Sequence, residues 1–284
     1  MEKCKLTIVG WLSIDYLKTA TDSMYSPGGS ALYSSFAAAK NSYVDLISII
    51  GEDFPFTVFK NLEKGLITTN NLKRIKGKST SFTVTYNDQW EPYYECIEQG
   101  VGNRLQPSIL VNDIDSKWIY ISPMIPDIQL QWVEFAKSKK LKIALGTNNI
   151  HTSIPEKREI LLRMLSSIDV FMCNRNEAAQ LFGGLNEEDS INMMGAKVKI
   201  GLITLDKDGC IASFKNTIIR YPSKETNIVD PSGAGDVFAG TFLSIWISSK
   251  DFTLAIDEAM KESAKVISNM GISSFMNKPL NLFY

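Results

Sequence analysis

Short runs of branched apolar residues alternate with stretches of helical period through most of the 284 residues. That alternation leaves few architectures open, because strand–helix–strand units pack as a parallel sheet covered on both faces. The strand runs are Leu6 to Val9, Tyr43 to Ile50, Trp118 to Ile121, Lys142 to Leu145, Val170 to Cys173 and Lys199 to Leu205. Helical patterns occupy Ala31 to Lys40, Pro55 to Lys64, Ile128 to Ser138, Glu156 to Ser166 and Arg175 to Phe182. The expected fold class is α/β, with a doubly wound, mainly parallel sheet flanked by helices and ligands at the carboxyl ends of its strands. Two stretches break the alternation. Leu12 to Thr19 follows the first strand directly, and Ser79 to Tyr86 with Tyr93 to Glu98 reads as a hairpin turning at Asn87-Asp88. These pieces suit a small separate β element, which could be a surface appendage or a dimer-forming sheet. With no repeat and no flexible linker, the chain reads as one domain over 1–284.

Residues 230 to 240, Asp-Pro-Ser-Gly-Ala-Gly-Asp-Val-Phe-Ala-Gly, carry the strongest chemical signal. Gly233, Ala234 and Gly235 let the main chain turn tightly beside a bulky anion, and the apolar run from Val237 to Trp246 reads as the helix they open. The first amides of a helix have no internal partner, and they and the helix dipole favour negative charge. Asp236 is out of place in an anion site unless it takes a proton from an alcohol attacking a bound phosphate. That pairing points to a kinase. The plainer reading is a capped helix whose start is glycine-rich, with Ser232 or Asp236 as the cap.

Composition closes off other classes. Thirty basic and 31 acidic residues give a net charge of -1, so no global basic field gathers nucleic acid. The single histidine, His151, cannot build a Ser-His-Asp or multi-histidine metal site and reads as a loop residue. Cys4, Cys96, Cys173 and Cys210 are far apart and form no Cys-x-x-Cys pair, which argues against zinc and a dense disulfide framework. No window reaches the ~18 unbroken apolar residues of a membrane span, and no basic leader precedes the first strand. A cytoplasmic protein with no membrane or nucleic-acid partner is expected.

Asp230 to Phe238 resembles the second signature of the PfkB, or ribokinase-like, family of carbohydrate and nucleoside kinases, whose usual form is Asp-Thr-x-Gly-Ala-Gly-Asp-x-Phe. Pro27-Gly28-Gly29-Ser30, a helix and then Ile47 to Asp53 are similar to its first signature. The two lie about two hundred residues apart, in the family's order, and the resemblance covers essentially the whole chain. It implies a ribokinase-like fold with a small β lid, contributed here by roughly 12–22 and 75–102. The implied reaction is ATP-dependent phosphoryl transfer, with Mg2+, to a hydroxyl of a small sugar, polyol or nucleoside. A homodimer through the lid is compatible with it. In the catalytic set Asp236 is the base, and Gly233, Ala234 and Gly235 supply the anion hole.

The remaining site residues follow by position. Asp15, just after the first strand, matches the family's substrate carboxylate, and a carboxylate can accept from two sugar hydroxyls. Gly28 and Gly29 let the backbone come close to the acceptor. Tyr33 stands where the family often has Asn, offering one hydroxyl in place of an amide, or a ring that stacks on a base. Asn174 and Glu177 match the family's Asn-x-x-Glu, a carbonyl and a carboxylate one turn apart reaching a hydrated magnesium ion. The same residues satisfy a helix capping box. Thr204 to Gly209 resembles the family's Thr-x-Gly-x-x-Gly nucleotide loop, with Thr204 and Gly209 as nucleotide contacts and Asp206 in place of the first glycine. It serves equally well as a hairpin turn. Met260 aligns with a position near the nucleotide base, although methionine on a helix is more often core. Pro231 replaces Thr, and Asp230 with nearby carbonyls is where some relatives would place a monovalent cation. Asp206 and Tyr33 motivate a rival, a catalytically weak or inactive ligand-binding regulatory protein on the same fold. A nicotinamide oxidoreductase ranks lower, because Ile8 to Ser13 lacks Gly-x-Gly-x-x-Gly.

Overall fold

The structure, a computed structural model, describes residues 5–18, 23–55, 57–58, 60, 66–86, 92–223, 230–268 and 271–275. Cys4, most of the helix expected over Pro55 to Lys64, the Asn87-Asp88 turn and Trp90 lie outside the described residues. The chain divides into two compact units, Met1–Ile114 with Thr226–Tyr284, and Asp115–Glu225.

The first unit opens with β1 (Lys5–Val9), β2 (Ser13–Lys18), β3 (Ser23–Gly28), α1 (Ser30–Ala39), β4 (Tyr43–Ile50), β5 (Ile67–Arg74), β6 (Thr80–Tyr86) and β7 (Pro92–Glu98). β4 lies between β1 and β5 and is parallel to both. Its residues Val44 to Ile50 are all buried, as expected of a strand covered on both faces. The remaining four strands form a separate sheet in the order β3-β2-β6-β7. There the pairing is antiparallel for β2 with β3 and for β6 with β7, and parallel for β2 with β6. Leu17 and Val84, opposite each other in register, make its small core with Met24 and Phe82.

The second unit carries β8 (Trp118–Ile121), α2 (Pro126–Ser138), β9 (Lys142–Gly146), α3 (Pro155–Met164), β10 (Val170–Asn174), α4 (Arg175–Leu181), α5 (Glu187–Gly195), β11 (Ile200–Thr204), β12 (Cys210–Phe214) and β13 (Thr217–Tyr221). Strands β8 to β11 are consecutive parallel neighbours, and β12 and β13 continue the sheet antiparallel. Gln129 on α2 donates through Nε2 to Ser122 O (3.0 Å) and Gly146 O (2.8 Å), tying together the segments that leave β8 and β9. His151 is not in a loop: it belongs to the helical turn Asn149–Thr152, capped by the Asn148 side chain, and is 8% exposed. Burial pushes its imidazole down to about 4, with the Lys157 charge adding to the effect, so it stays neutral at pH 7. Cys173 and Cys210 are buried free thiols.

The chain then returns to the first unit with α6 (Ala234–Ser249) and α7 (Phe252–Ile267). α6 packs between α1 and α7. Its approach to α1 is close enough that a Cβ on Gly240 would overlap Ser34 O. Among the described residues no helix is long and apolar enough to cross a membrane.

Candidate active site

Most of the expected acceptor and catalytic residues meet in the first unit. β2 alternates faces, so Ser13, Asp15 and Leu17 share one side. Leu17 is buried in the small core, which fixes the side to which Asp15 belongs. Register places Ser13 opposite Gly28 and Asp15 opposite Ser26. A Cβ on Gly28 would overlap Asp15 Oδ2 and stand 2.8 Å from its Cγ, so a side chain there would displace this carboxylate. Gly29 (φ 97°) is the N-cap of α1, and the first turn of that helix is tied back by Ala31 N–H donating to Trp11 O at 3.3 Å.

Asp15 Oδ1 and Ser13 Oγ are both buried; the Ser13 hydroxyl lies close enough to the Asp15 carboxylate to favour its charged form, yet neither atom makes a well-formed hydrogen bond among the described residues. Two orphaned polar atoms on one strand face are costly unless a ligand or solvent satisfies them. Ser13 was not singled out from sequence, although its i, i+2 spacing from Asp15 within a strand was a readable signal.

The glycine-rich loop before α6 is anchored by side chains. Asp230, 1% exposed, accepts from Ser232 N–H (2.9 Å) and Gly271 N–H (2.6 Å) through its two carboxylate oxygens. Ser263 Oγ donates to Ala234 O at 2.9 Å. Gly233 caps α6 in the left-handed region (φ 75°, ψ 0°), where residues with a Cβ are disfavoured. Val237 N–H closes a helical bond onto Gly233 O at 2.8 Å, leaving the amides of Gly235 and Asp236 to be satisfied from outside the helix. A Cβ on Gly235 would meet nothing within 4 Å, so the loop is open on that side.

Asp236 sits in the first turn of α6 and keeps partial exposure. Burial of its carboxyl, reinforced by the negative charge of Asp15, pushes it up to about 7. Asp15 is likewise pushed up to about 7, by burial first; the neighbouring Ser13 hydroxyl works against the shift and the charge of Asp230 adds to it. The two acids are thus electrostatically coupled, and the pair resists carrying two charges at once.

Tyr33 is placed differently from a ligand-stacking ring. It is 5% exposed, and a Cβ on Gly233 would overlap its Cδ1 and lie 2.6 Å from Cε1 and 2.7 Å from Cγ. The ring is seated on the Gly233 main chain. Met260 is 7% exposed on the buried side of α7 with Ile256 and Ala259, as in a core.

The second unit holds the other set. Asn174 caps α4: its Oδ1 accepts from Glu177 N–H at 2.8 Å, while its own N–H and Nδ2 donate to Glu177 Oε2 and Oε1, both at 2.9 Å. The capping box is therefore formed. Among the described residues no cluster of three or more His, Cys, Asp or Glu could cage a metal by itself. A hydrated magnesium ion fits such a place better than a bare one, since it keeps its waters and takes phosphate ligands. Thr204 ends β11 opposite Cys210, and the turn between them closes by Leu205 N–H to Gly209 O at 2.8 Å. Asp206 has φ 50°, the left-handed conformation that Asp tolerates better than most residues, and is exposed. Arg175 holds the turn from α4, pairing with Asp208 at 2.5 Å and Glu187 at 2.9 Å.

Asp236 thus stands in the first turn of a helix that opens on a left-handed glycine, with Asp15 in the same unit. The profile of the pfkB family carbohydrate kinases matches residues 11–279, and the chain belongs to that family. A cytidine kinase of Thermococcus kodakarensis is 25% identical over 94% of this chain and 97% of its own length. Among solved structures, a Burkholderia thailandensis nucleoside kinase in complex with inosine superposes with a TM-score of 0.82 at 16% identity, covering 95% of this chain and 93% of that one. A putative ribokinase II from E. coli in complex with ATP and Mg+2 gives 0.81 at 19% identity, covering 94% of each chain. The fold is thus ribokinase-like, and the chain is a PfkB-type kinase of the carbohydrate or nucleoside class.

Proposed function

We propose that this kinase moves the γ-phosphoryl group of ATP to a hydroxyl of a small sugar, polyol or nucleoside, with Asp236 as the general base. The observation that carries this reading is the left-handed glycine start of α6, open at Gly235, with Asp236 in its first turn. Asp15 and Ser13 accept from and donate to acceptor hydroxyls, and the close approach at Gly28 keeps the carboxylate in place. Asp236, with its carboxyl pushed up to about 7, takes the hydroxyl proton at neutral pH. The amides of Gly235 and Asp236 receive the negative charge that develops on the transferred group. In the second unit Thr204 and Gly209 would bind the nucleotide. Asn174 and Glu177 would steady a hydrated magnesium ion, whose chemistry is to neutralise phosphate charge.

The names of the relatives guide the acceptor screen, led by a cytidine kinase, a deoxyribokinase and a ribokinase. The test is nucleotide consumption with product detection over cytidine, inosine, adenosine, ribose, deoxyribose and fructose, run for the parent chain and for Asp236→Asn. Turnover of at least one acceptor by the parent, lost in the variant, supports the assignment. A folded, fully active Asp236→Asn protein would defeat it. The non-catalytic binder loses its motive, because the left-handed turn at Asp206 keeps the loop formed and Tyr33 has a place of its own.

A further inference from the structure

We propose that Tyr33 is a positioning residue for phosphoryl transfer, its ring fixing the left-handed turn at Gly233 from which the amides of Gly235 and Asp236 are aimed. This rests on the kinase reading and concerns the same site. The anion loop has hydrogen-bonded anchors at both ends, Asp230 with Ser232 and Gly271 before it and Ser263 with Ala234 after it. Between those anchors, Gly233 abuts the Tyr33 ring, three of whose carbons would lie within 2.7 Å of a Cβ there. Two residues on, a Cβ at Gly235 would meet nothing within 4 Å. The loop is therefore propped at Gly233 and uncrowded at Gly235, so a shift of the ring shifts the turn from which the next amides start.

The prop is rigid for two reasons. An aromatic side chain has only two rotatable bonds and is nearly fully enclosed here. Its backbone is also fixed, because Tyr33 N–H donates to Gly29 O (3.3 Å) in the first turn of α1, and Gly29 abuts Leu12 Cα and Ser13 N within 3.0 Å of where a Cβ would stand. Tyr33 thus links the segment carrying Ser13 and Asp15 to the loop carrying Asp236, and holds acceptor and anion hole in one register. A ring so placed works through Gly233.

The experiment is a double-mutant cycle on turnover and thermal stability, comparing the parent with Tyr33→Ala, Gly233→Ala and the pair. It uses ATP and the acceptor that the panel above selects. A misplaced anion hole lowers kcat with little change in either Michaelis constant, and displacement on the ångström scale costs about 10²-fold. The expected results are kcat lowered roughly ten- to hundredfold in Tyr33→Ala, both KM values within about threefold of the parent, and near-parent activity in Tyr33→Phe, which keeps the ring. The pair should lose less than the product of the single losses, since removing the ring removes the clash with the new Cβ. Independent effects in a parent that turns over, or a rise in acceptor KM with unchanged kcat, would overturn the proposal and leave the kinase reading intact. A parent that phosphorylates no acceptor would sink the kinase reading and this role with it. If Tyr33→Ala does not fold, Tyr33→Leu serves in the same cycle.

Discussion

Asp15 and Asp236 are held on the protonated side of their ordinary range, so each lends stability fully below its unfolded value near 4 and loses it as pH rises through about 7. Above pH 7 the ionised pair destabilises the fold. Asp236→Asn should therefore melt higher than the parent at pH 8 and show no gain at pH 4, while its kcat falls about 10²- to 10⁴-fold through loss of the base. Differential scanning calorimetry at the two pH values and steady-state turnover check both halves. The pH profile offers a second measurement. Parent kcat/KM should climb through about pH 7, and Asp15→Asn, which removes the negative neighbour, should shift that limb to lower pH. An unmoved limb would show that Asp15 does not influence the base.

At the level of elements, Gly28→Ala should act as a selective lesion, because the new Cβ overlaps the Asp15 carboxylate across the β2–β3 pair. Acceptor KM is expected to rise at least tenfold with ATP KM unchanged, as loss of one charged hydrogen-bonding group in a site costs about 1.5–3 kcal/mol. Asn174→Ala removes the cap of α4 and should lower stability by about 1 kcal/mol, read as a fall in urea midpoint at unchanged m value. The apolar strands β1, β4, β8, β9, β10 and β11 were legible in sequence because burial on both faces writes itself as unbroken branched residues. β3 was not: Ser23 to Gly28 carries Ser, Pro and Gly, which spell a turn, yet Pro27 is tolerated because β3 is an edge strand. β5 was hidden by Asn70 and Asn71; the Asn71 side chain accepts from Val111 N–H and Asn112 N–H, a longer-range bond that local pattern does not reveal.

Across the whole molecule, the acceptor and base candidates lie in the first unit and Asn174, Glu177, Thr204 and Gly209 in the second. Lesions should therefore separate by ligand. Thr204→Ala is expected to raise ATP KM several-fold while acceptor-induced thermal stabilisation persists, and Asp15→Asn to weaken that stabilisation while nucleotide still shifts the melting point as in the parent. The motif residues of both sets could be picked out in the chain because their spacing is local. What joins Tyr33 to Gly233 could not, since the two are about 200 residues apart and the contact exists only after α1 and α6 have packed. Asp206 illustrates the converse. Its backbone takes the left-handed bend that glycine would supply, so the shape of the turn survives a change of letter. Searches for relatives that demand a glycine there will pass over chains built like this one, whereas a pattern admitting Asp or Asn at that bend would recover them.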